Sequence, residues 1–220
     1  MPDLQFRIEG AEPRKFAAEP SLNFLLRVSE SPAIDTPPTP VHTVALRCQI
    51  RIEPGRRRYE PEEKHRLRDL FGSPDRWGQT LRPMLWTHVT AIVPPFVGER
   101  IVDLPVPCSF DFSLAATRYF SALNGGDLPL CFLFSGTIFY ENNDGALQTQ
   151  QISWDRESVF RLPTGIWHDL MNVYCHNKTC IGIRRDLFEQ IDQFKSDHGL
   201  VSHDAAIERL LECARELATP

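Results

Sequence analysis

Two cysteines and two histidines lie close together in the last third of the chain. Residues 174–180 read Tyr-Cys-His-Asn-Lys-Thr-Cys, and a further histidine stands seven positions before the first cysteine. Zn²⁺ binds thiolate sulfur and imidazole nitrogen in tetrahedral protein sites. The candidate zinc ligands are therefore His168, Cys175, His176 and Cys180.

The spacing of these four residues leaves three interpretations open. It lacks the paired Cys-x2-Cys of many zinc sites, and the adjacent Cys175 and His176 would point in different directions along a continuing helix. The alternatives to a zinc site are a redox-responsive pair of Cys175 and Cys180, or a helix end followed by a polar turn. The helix end is the simplest interpretation, and zinc is the one cofactor that these residues could hold.

A run of three arginines is a candidate anion-binding site. It lies within Gly55–Glu60 and consists of Arg56, Arg57 and Arg58. Guanidinium groups hold carboxylates and phosphates through paired N–H donors. Glu60, Glu62 and Glu63 follow directly and would compete for the arginines. The alternative is a solvated turn whose charges pair internally.

A segment rich in aromatic residues and arginine, Arg76–Trp86, is a candidate partner-binding surface. Tryptophan, methionine and arginine are enriched at protein interfaces and at their energetic centres. The same aromatic side chains could instead fill the core beneath a loop. The candidate partner-binding residues are Arg76, Trp77, Arg82, Met84 and Trp86.

The sequence contains no recognisable catalytic motif. Ser135 precedes a glycine, but it lies in an apolar run without the G-x-S-x-G elbow of hydrolases. A glycine-rich phosphate loop and the H-E-x-x-H zinc motif are also absent from the sequence. We therefore predict no catalytic residue and expect a protein that is not an enzyme.

Charge and hydropathy narrow the choice of partner and compartment. The formal net charge of −5 at pH 7 disfavours binding to nucleic acid. The most apolar run, Leu128–Phe134, is too short to cross a bilayer, and no signal sequence is recognisable at the N-terminus. We expect a cytoplasmic protein without membrane insertion. Its cysteines should be reduced, with Cys48, Cys131 and Cys213 acting as small buried apolar residues.

Hydrophobic periodicity predicts strands early in the chain and helices late. Val44–Ile52 alternates apolar and polar residues, which is typical of a strand with one buried face. Glu60–Gly72 is predicted as a surface helix, and Leu128–Tyr140 as a central strand. In Ile101–Cys108, Pro105 and Pro107 indicate an edge strand, because proline cannot donate to a ladder.

These patterns predict an α+β fold. We expect a mostly antiparallel sheet or small sandwich, with a mid-chain helix that ends near Asn124-Gly125-Gly126 and two to three C-terminal helices. Residues 1–160 are predicted to form the β-rich core, with one inserted surface helix and the mid-chain helix. Residues 161–220 are predicted to form a helical region packed on that core, starting with a helix whose first turn contains Pro163.

Five stretches of the sequence resemble a bacterial family known only as a domain of unknown function. They lie at residues 44–63, 70–90, 102–112, 129–140 and 160–174, so the resemblance spans nearly the whole chain. The sequence departs from the family's pattern at Cys175 and His176, where an aromatic residue and proline are common. Genes of that family often lie beside nickel-iron hydrogenase genes, which implies a supporting role near such an enzyme.

The order of strands and of the mid-chain helix is similar, more weakly, to the export chaperone SecB. Together these observations favour a non-catalytic accessory or assembly protein that binds a protein partner. Hydrogenase or maturation components are the candidate partners, and the protein could also form a homo-oligomer. The alternatives are a metal-binding or thiol-redox protein, and a SecB-like chaperone that offers an apolar groove to unfolded chains.

Overall fold

The computed structural model describes residues 1–31, 37–108, 114–142, 144–175 and 183–218. Eight strands lie in these ranges: β1 Leu4–Pro13, β2 Ser21–Glu30, β3 Val41–Ile52, β4 Met84–Val93, β5 Glu99–Pro107, β6 Asp127–Glu141, β7 Leu147–Gln151 and β8 Glu157–Pro163. Seven α-helices lie in the same ranges: α1 Pro61–Arg66, α2 Arg68–Phe71, α3 Trp77–Thr80, α4 Leu114–Ser121, α5 Thr164–Cys175, α6 Arg185–Asp197 and α7 His203–Ala218. The predicted α+β fold is confirmed.

The chain forms two compact units, Met1–Asn177 and Lys178–Pro220. The first unit contains both sheets, and all strand pairs in them are antiparallel. One sheet has the order β1-β2-β5. The other has the order β4-β3-β6-β7, and β8 pairs with the first half of β6. The strand β6 is therefore central, as its long apolar run predicts.

The two sheets pack face to face through large side chains on their inner faces. Phe6 of β1 stacks on Phe134 of β6 with ring centroids 4.9 Å apart. Phe24 of β2 meets the edge of Phe132 at 5.0 Å and that of Trp86 at 6.3 Å. Because strand side chains alternate between faces, each contributing strand also presents an outward row. The core is the layer between the sheets.

The prolines of β5 lie where the sequence places them. This strand is at the edge of the three-stranded sheet and, among the described strands, pairs only with β2. Pro105 pairs with Asn23, and Pro107 with Ser21. Proline has no backbone N–H to offer a further strand, so these two residues protect the free edge from pairing with another chain.

Two predicted helices differ from what the structure shows. The segment predicted as one surface helix forms α1 and α2, which are broken at Leu67, a fully buried residue with ψ near 0°. The mid-chain helix ends at Ser121, so Gly126, which has φ 73°, is not its C-cap.

The strand β8 is absent from the sequence-based prediction. Ser158 and Leu162 point inward and are buried, and the Ser158 hydroxyl accepts a hydrogen bond from the N–H of Ile8 at 3.0 Å. Pro163 closes this strand opposite Asp127 and does not begin a helix. The helix α5 starts at the next residue.

The helices α4 and α5 cover one end of the sandwich. Phe120 of α4 lies with its ring centroid 4.6 Å from that of Trp167 in α5 and 5.1 Å from that of Trp86 in β4. The hydroxyl of Tyr174 in α5 donates to the carbonyl oxygen of Ala17 at 2.9 Å. The helix α5 therefore belongs to the first unit by its contacts.

The second unit is a pair of amphipathic helices. The ring of Phe188 in α6 stacks on His203 in α7 at 5.1 Å. Asp192 accepts from Lys195 at 2.7 Å and lies 3.1 Å from His203. Ala206 is fully buried, whereas Leu211 is 53% exposed. Two helices of this length bury little apolar surface by themselves.

The cysteines that were expected to be buried fall into two groups. Cys48 and Cys131 are buried, as predicted, and Cys108 is buried as well. The prediction is wrong for Cys213, which is partly exposed on α7 because the small second unit has little core in which to place it.

Burial should make two of these thiols unreactive in the folded protein. It raises the pKa of Cys48 and of Cys108 from 9.0 to about 12, so both stay protonated where a free thiol begins to ionise. Iodoacetamide at about pH 8 should modify Cys213 in the native protein but leave Cys48 and Cys108 unmodified until urea is added. Peptide mass spectrometry measures this, and equal native labelling of Cys48 and Cys213 would contradict it.

The same shifts predict how stability depends on pH. A thiol whose pKa rises on folding contributes stability that is fully present below its unfolded pKa of 9.0. That contribution is lost as the pH rises from 9.0 towards 12. The free energy of unfolding should therefore fall above about pH 9 in urea titrations.

Candidate functional sites

The predicted zinc cluster can be placed only through His168. This residue lies in α5, and its Nε2 is 3.1 Å from the carbonyl oxygen of Leu123. A carbonyl oxygen only accepts, so Nε2 carries the proton and donates, and Nδ1 is the nitrogen left to bind a metal. The side chain of Cys175, with His176 and Cys180, lies outside the described residues. Among those that are described, no three His, Cys, Asp or Glu side chains form a metal-binding group.

The aromatic-arginine segment places its two tryptophans in the core. Trp77 and Trp86 are each 6% exposed. The indole N–H of Trp77 donates to the carbonyl oxygen of Gly72 at 3.0 Å, and Trp86 is the extra residue of a bulge in β4 that turns it inward. The prediction that Trp77 and Trp86 bind a partner is therefore wrong, because a buried indole cannot contact a partner. Met84 is half-buried, and only Arg76 and Arg82 are exposed.

The three consecutive arginines have different environments. The side chain of Arg57 is only 9% exposed, whereas Arg56 and Arg58 are exposed. Arg57 Nη2 lies 2.6 Å from Glu63 Oε1, in an ion pair whose carboxylate is 2% exposed. The expected internal pairing thus occurs for the middle arginine, because only that side chain points back under the turn.

Two backbone carbonyls also accept hydrogen bonds from Arg57. Its Nη2 also donates to the carbonyl oxygen of Gly125 at 2.6 Å, and Nη1 donates to that of Asp127 at 2.8 Å. Gly126 lies against this guanidinium, since a Cβ there would come within 3.1 Å of Nη1. The arginine therefore ties the turn after β3 to the segment that leads into β6.

Glu63 completes the same connection from the helix α1. Its Oε2 accepts from the N–H of Glu60 at 3.0 Å, and its Oε1 accepts from the N–H of Asn124 at 3.0 Å. The Glu60 side chain accepts in return from the N–H of Glu63, which forms a capping box at the start of α1. One carboxylate thus serves as helix cap, counter-ion and loop anchor.

A pair of buried tyrosines lies beside this ion pair. The Tyr59 hydroxyl donates to the carbonyl oxygen of Pro54 at 2.7 Å, so the Tyr119 hydroxyl at 2.8 Å must donate to Tyr59. Burial raises the pKa of Tyr119 to about 12 and raises that of Tyr59 further. Both phenols stay protonated near neutral pH, so they position the turn and do not transfer protons.

The turn, the loop and β8 enclose a pocket of about 620 Å³, here called the arginine pocket. Arg161 of β8 reaches it and donates to the carbonyl oxygen of Arg56 at 3.4 Å. The residues that line the pocket are Arg56, Arg57, Arg58, Glu60, Glu63, Asn124, Gly125, Gly126, Asp127 and Arg161.

Neither Arg161 nor the loop at 124–127 is predicted as part of the anion site, which rests on the run of three arginines alone. Both lie far along the chain from the three arginines and meet them only because β3 and β8 flank the same stretch of β6. An alternating pattern in Glu157–Pro163 was the one available signal, since it puts Arg161 on the opposite face from Leu162.

The outward side of the five-stranded sheet forms a second candidate site, here called the exposed sheet face. Its central row is Thr90, Arg47 and Ser135 on neighbouring strands, and all three are exposed. Ile92 is 70% exposed and Leu85 is 51% exposed. A groove of about 520 Å³ crosses the face, and the residues that line it are Ala45, Leu46, Arg47, Thr90, Ala91, Ile92, Ser135, Gly136 and Gln151.

The structure is an α+β fold with two candidate sites, the groove of the exposed sheet face and the charged arginine pocket. The chain belongs to the family of unknown function DUF6084, and the match covers residues 1–219. The resemblance inferred from the sequence is thus confirmed at the level of the family. No curated protein and no solved structure matched the chain. None of the helices in the described ranges is long and apolar enough to span a membrane.

Proposed function

We propose that this protein is a non-catalytic accessory protein that binds a protein partner through the exposed sheet face. The observation that carries the proposal is the exposure of large apolar side chains on one continuous sheet surface. Ile92, Leu85 and Val159 are 70%, 51% and 48% exposed there. All three side chains point outward from the same sheet and leave apolar area in water that a partner would cover.

The shape of the face comes from unequal side chains on adjacent strands. Ala45 faces Thr137 on β6 and Ile92 on β4. Next to this row, the backbone of Gly136 lines the groove. Small residues between longer ones leave the groove, which is wide enough to accept apolar side chains from a partner.

The charge of the face indicates the chemistry of the partner. Arg47 and Arg51 lie on the outward side of β3, and neither forms an ion pair among the described residues. His88 is exposed on the neighbouring strand, and the acidic residues Glu157 and Glu141 lie at the margins. Two arginines without counter-ions next to apolar side chains suit a segment that carries both carboxylates and apolar residues.

The gene neighbourhood of the resembled family makes nickel-iron hydrogenase subunits and maturation proteins the first partners to test. The untagged protein and two face variants, Ile92→Glu and Arg47→Glu, would be used to capture partners from the native host, followed by reconstitution with the purified partner. We expect each face variant to weaken binding by at least about tenfold. Isothermal titration calorimetry at two salt concentrations measures this.

A matched variant on the other sheet serves as the control. Ile101 on β5 is 47% exposed, so Ile101→Glu introduces the same charge at a similar apolar site away from the face. It should retain wild-type affinity. The proposal fails if all variants capture the same proteins equally, or if the wild type only self-associates in light scattering and no hydrogenase change follows gene deletion.

A further inference from the structure

We propose that the arginine pocket binds the phosphate group of a small anionic ligand. The pocket shares no lining residue with the groove of the exposed sheet face, so this inference does not depend on the proposed partner. Its positive groups come from the turn after β3 and from β8, and its floor is the loop at Asn124–Asp127. An arginine brings two parallel donors to a phosphate, and several arginines can share its three oxygens.

The arginines available to a ligand are those that are not held in a close ion pair within the protein. The charge of Arg57 is neutralised by Glu63 in the buried ion pair, and its side chain forms part of the pocket wall. Arg58 and Arg161 are exposed, and neither forms an ion pair within the described ranges. Arg56 has a long contact of 3.8 Å with Glu53. Three guanidinium groups therefore line the opening.

The carboxylates of the pocket are fewer than these cations. The charges of Arg57 and Glu63 cancel, and the other acidic residues that line the pocket are Glu60 and Asp127. Glu60 is occupied as the acceptor of the helix cap. The pocket thus keeps a local excess of positive charge in a chain whose formal net charge is −5. A local field of that sign attracts anions even when the whole molecule is acidic.

Unsatisfied donors in the pocket wall point to the same chemistry. Arg57 Nε is buried and has no hydrogen-bond partner among the described residues. In the same ranges, the N–H groups of Gly125 and Gly126 have no acceptor. A buried donor without an acceptor, such as Arg57 Nε, costs about 1–3 kcal/mol. Gly125 is half-buried and Gly126 is exposed, so a ligand in the pocket can reach this loop. An oxyanion supplies only acceptors, so it could accept from the N–H groups of Gly125 and Gly126 and from the exposed arginines that line the pocket.

The rigidity of the wall suits recognition of a fixed shape. Gly126 has φ 73°, which a side chain would strain, and a Cβ there would press on the Arg57 guanidinium. The buried hydrogen bonds of Arg57 and Glu63 hold this loop before any ligand arrives. Such preorganisation reduces the entropy lost on binding.

The test is binding of inorganic phosphate and of pyrophosphate to the intact protein at constant ionic strength set with chloride. Arginine side-chain NMR signals and calorimetry would report it. We expect saturable shifts of the Arg58 and Arg161 resonances, and at least about tenfold weaker binding in Arg58→Gln and in Arg161→Gln. Both side chains are exposed, so both variants should keep the wild-type unfolding midpoint.

Arg100→Gln is the matched control, because Arg100 is an exposed arginine on β5 outside the pocket. It should bind phosphate as the wild type does. Weakening of the same size in Arg100→Gln, or absence of saturation with both phosphate and pyrophosphate, would overturn the proposal. Citrate binding that exceeds phosphate binding would also overturn it in favour of a carboxylate site. The face variant Ile92→Glu should leave phosphate affinity unchanged, which separates this result from the partner proposal.

Discussion

Replacing Glu63 by glutamine should destabilise the first unit by about 3–5 kcal/mol, the cost of leaving one buried charge without its partner. The side chain of Arg57 is only 9% exposed, and Glu63 is its only ion-pair partner among the described residues. Glutamine keeps the length of the side chain but removes the negative charge. It also turns one of the two acceptors for the N–H groups of Glu60 and Asn124 into a donor.

Urea unfolding followed by tryptophan fluorescence measures this effect in the right unit. All four tryptophans of the chain lie before residue 178, so the signal reports on Met1–Asn177. The matched control is Glu62→Gln in the same helix, where the carboxylate is 77% exposed and lies 3.6 Å from Arg66. An exposed pair of this kind contributes about 0–1 kcal/mol.

A double variant separates the charge from the packing. In Arg57→Met with Glu63→Leu, both charges are removed together, and similar replacements of buried ion pairs have restored stability elsewhere. We expect recovery of more than half of the loss seen in Glu63→Gln. A Glu63→Gln protein within about 1 kcal/mol of the wild type would show that the buried pair does not hold the turn to the loop.

Replacing Gly136 by alanine should cost about 3 kcal/mol or more, enough to prevent folding of a marginal domain. Gly136 has φ +140°, a conformation that L-residues rarely adopt, and the Cβ of an alanine there would overlap the carbonyl oxygen of Ala45. The neighbouring backbone has little freedom to move, because β6 pairs with β3 on one side and with β7 on the other.

Gly165→Ala is the control for this substitution. Gly165 lies in the first turn of α5, and a Cβ there would meet nothing within 4 Å. Alanine in a helix should be neutral or stabilising by about 0.5–1 kcal/mol. Soluble yield and urea unfolding of the two variants provide the comparison. Equal stability of Gly136→Ala and wild type would mean that β6 relaxes at this position.

The strands with regular alternation could be predicted from the sequence, and those with inward polar residues could not. In β3 every inward position is apolar, so a period of two is visible in Val44–Ile52. In β8 the inward Ser158 is polar, and its hydroxyl is satisfied by the N–H of Ile8. A bond between residues so far apart leaves no pattern in the local sequence.

The candidate sites likewise contain features that could be predicted from the sequence and features that could not. The arginine run was visible as a candidate anion site, but sequence alone could not tell which of its members is buried. The burial of Trp77 depends on its contacts with Tyr59 and Phe71, which come from different turns. Whether an aromatic residue faces a partner or the core is therefore decided by long-range packing, whereas residue type only makes both outcomes possible.

The hydrogen bond from β1 to Ser158 has a consequence for the order of events during synthesis. It joins residues 150 positions apart, and β3 likewise pairs with a strand that emerges much later. Contacts between distant segments slow folding, because the intervening chain must be ordered before they form. During synthesis, the apolar strand β6 therefore lacks its partner β8 until β8 has left the ribosome. This interval is the stage at which aggregation competes with folding.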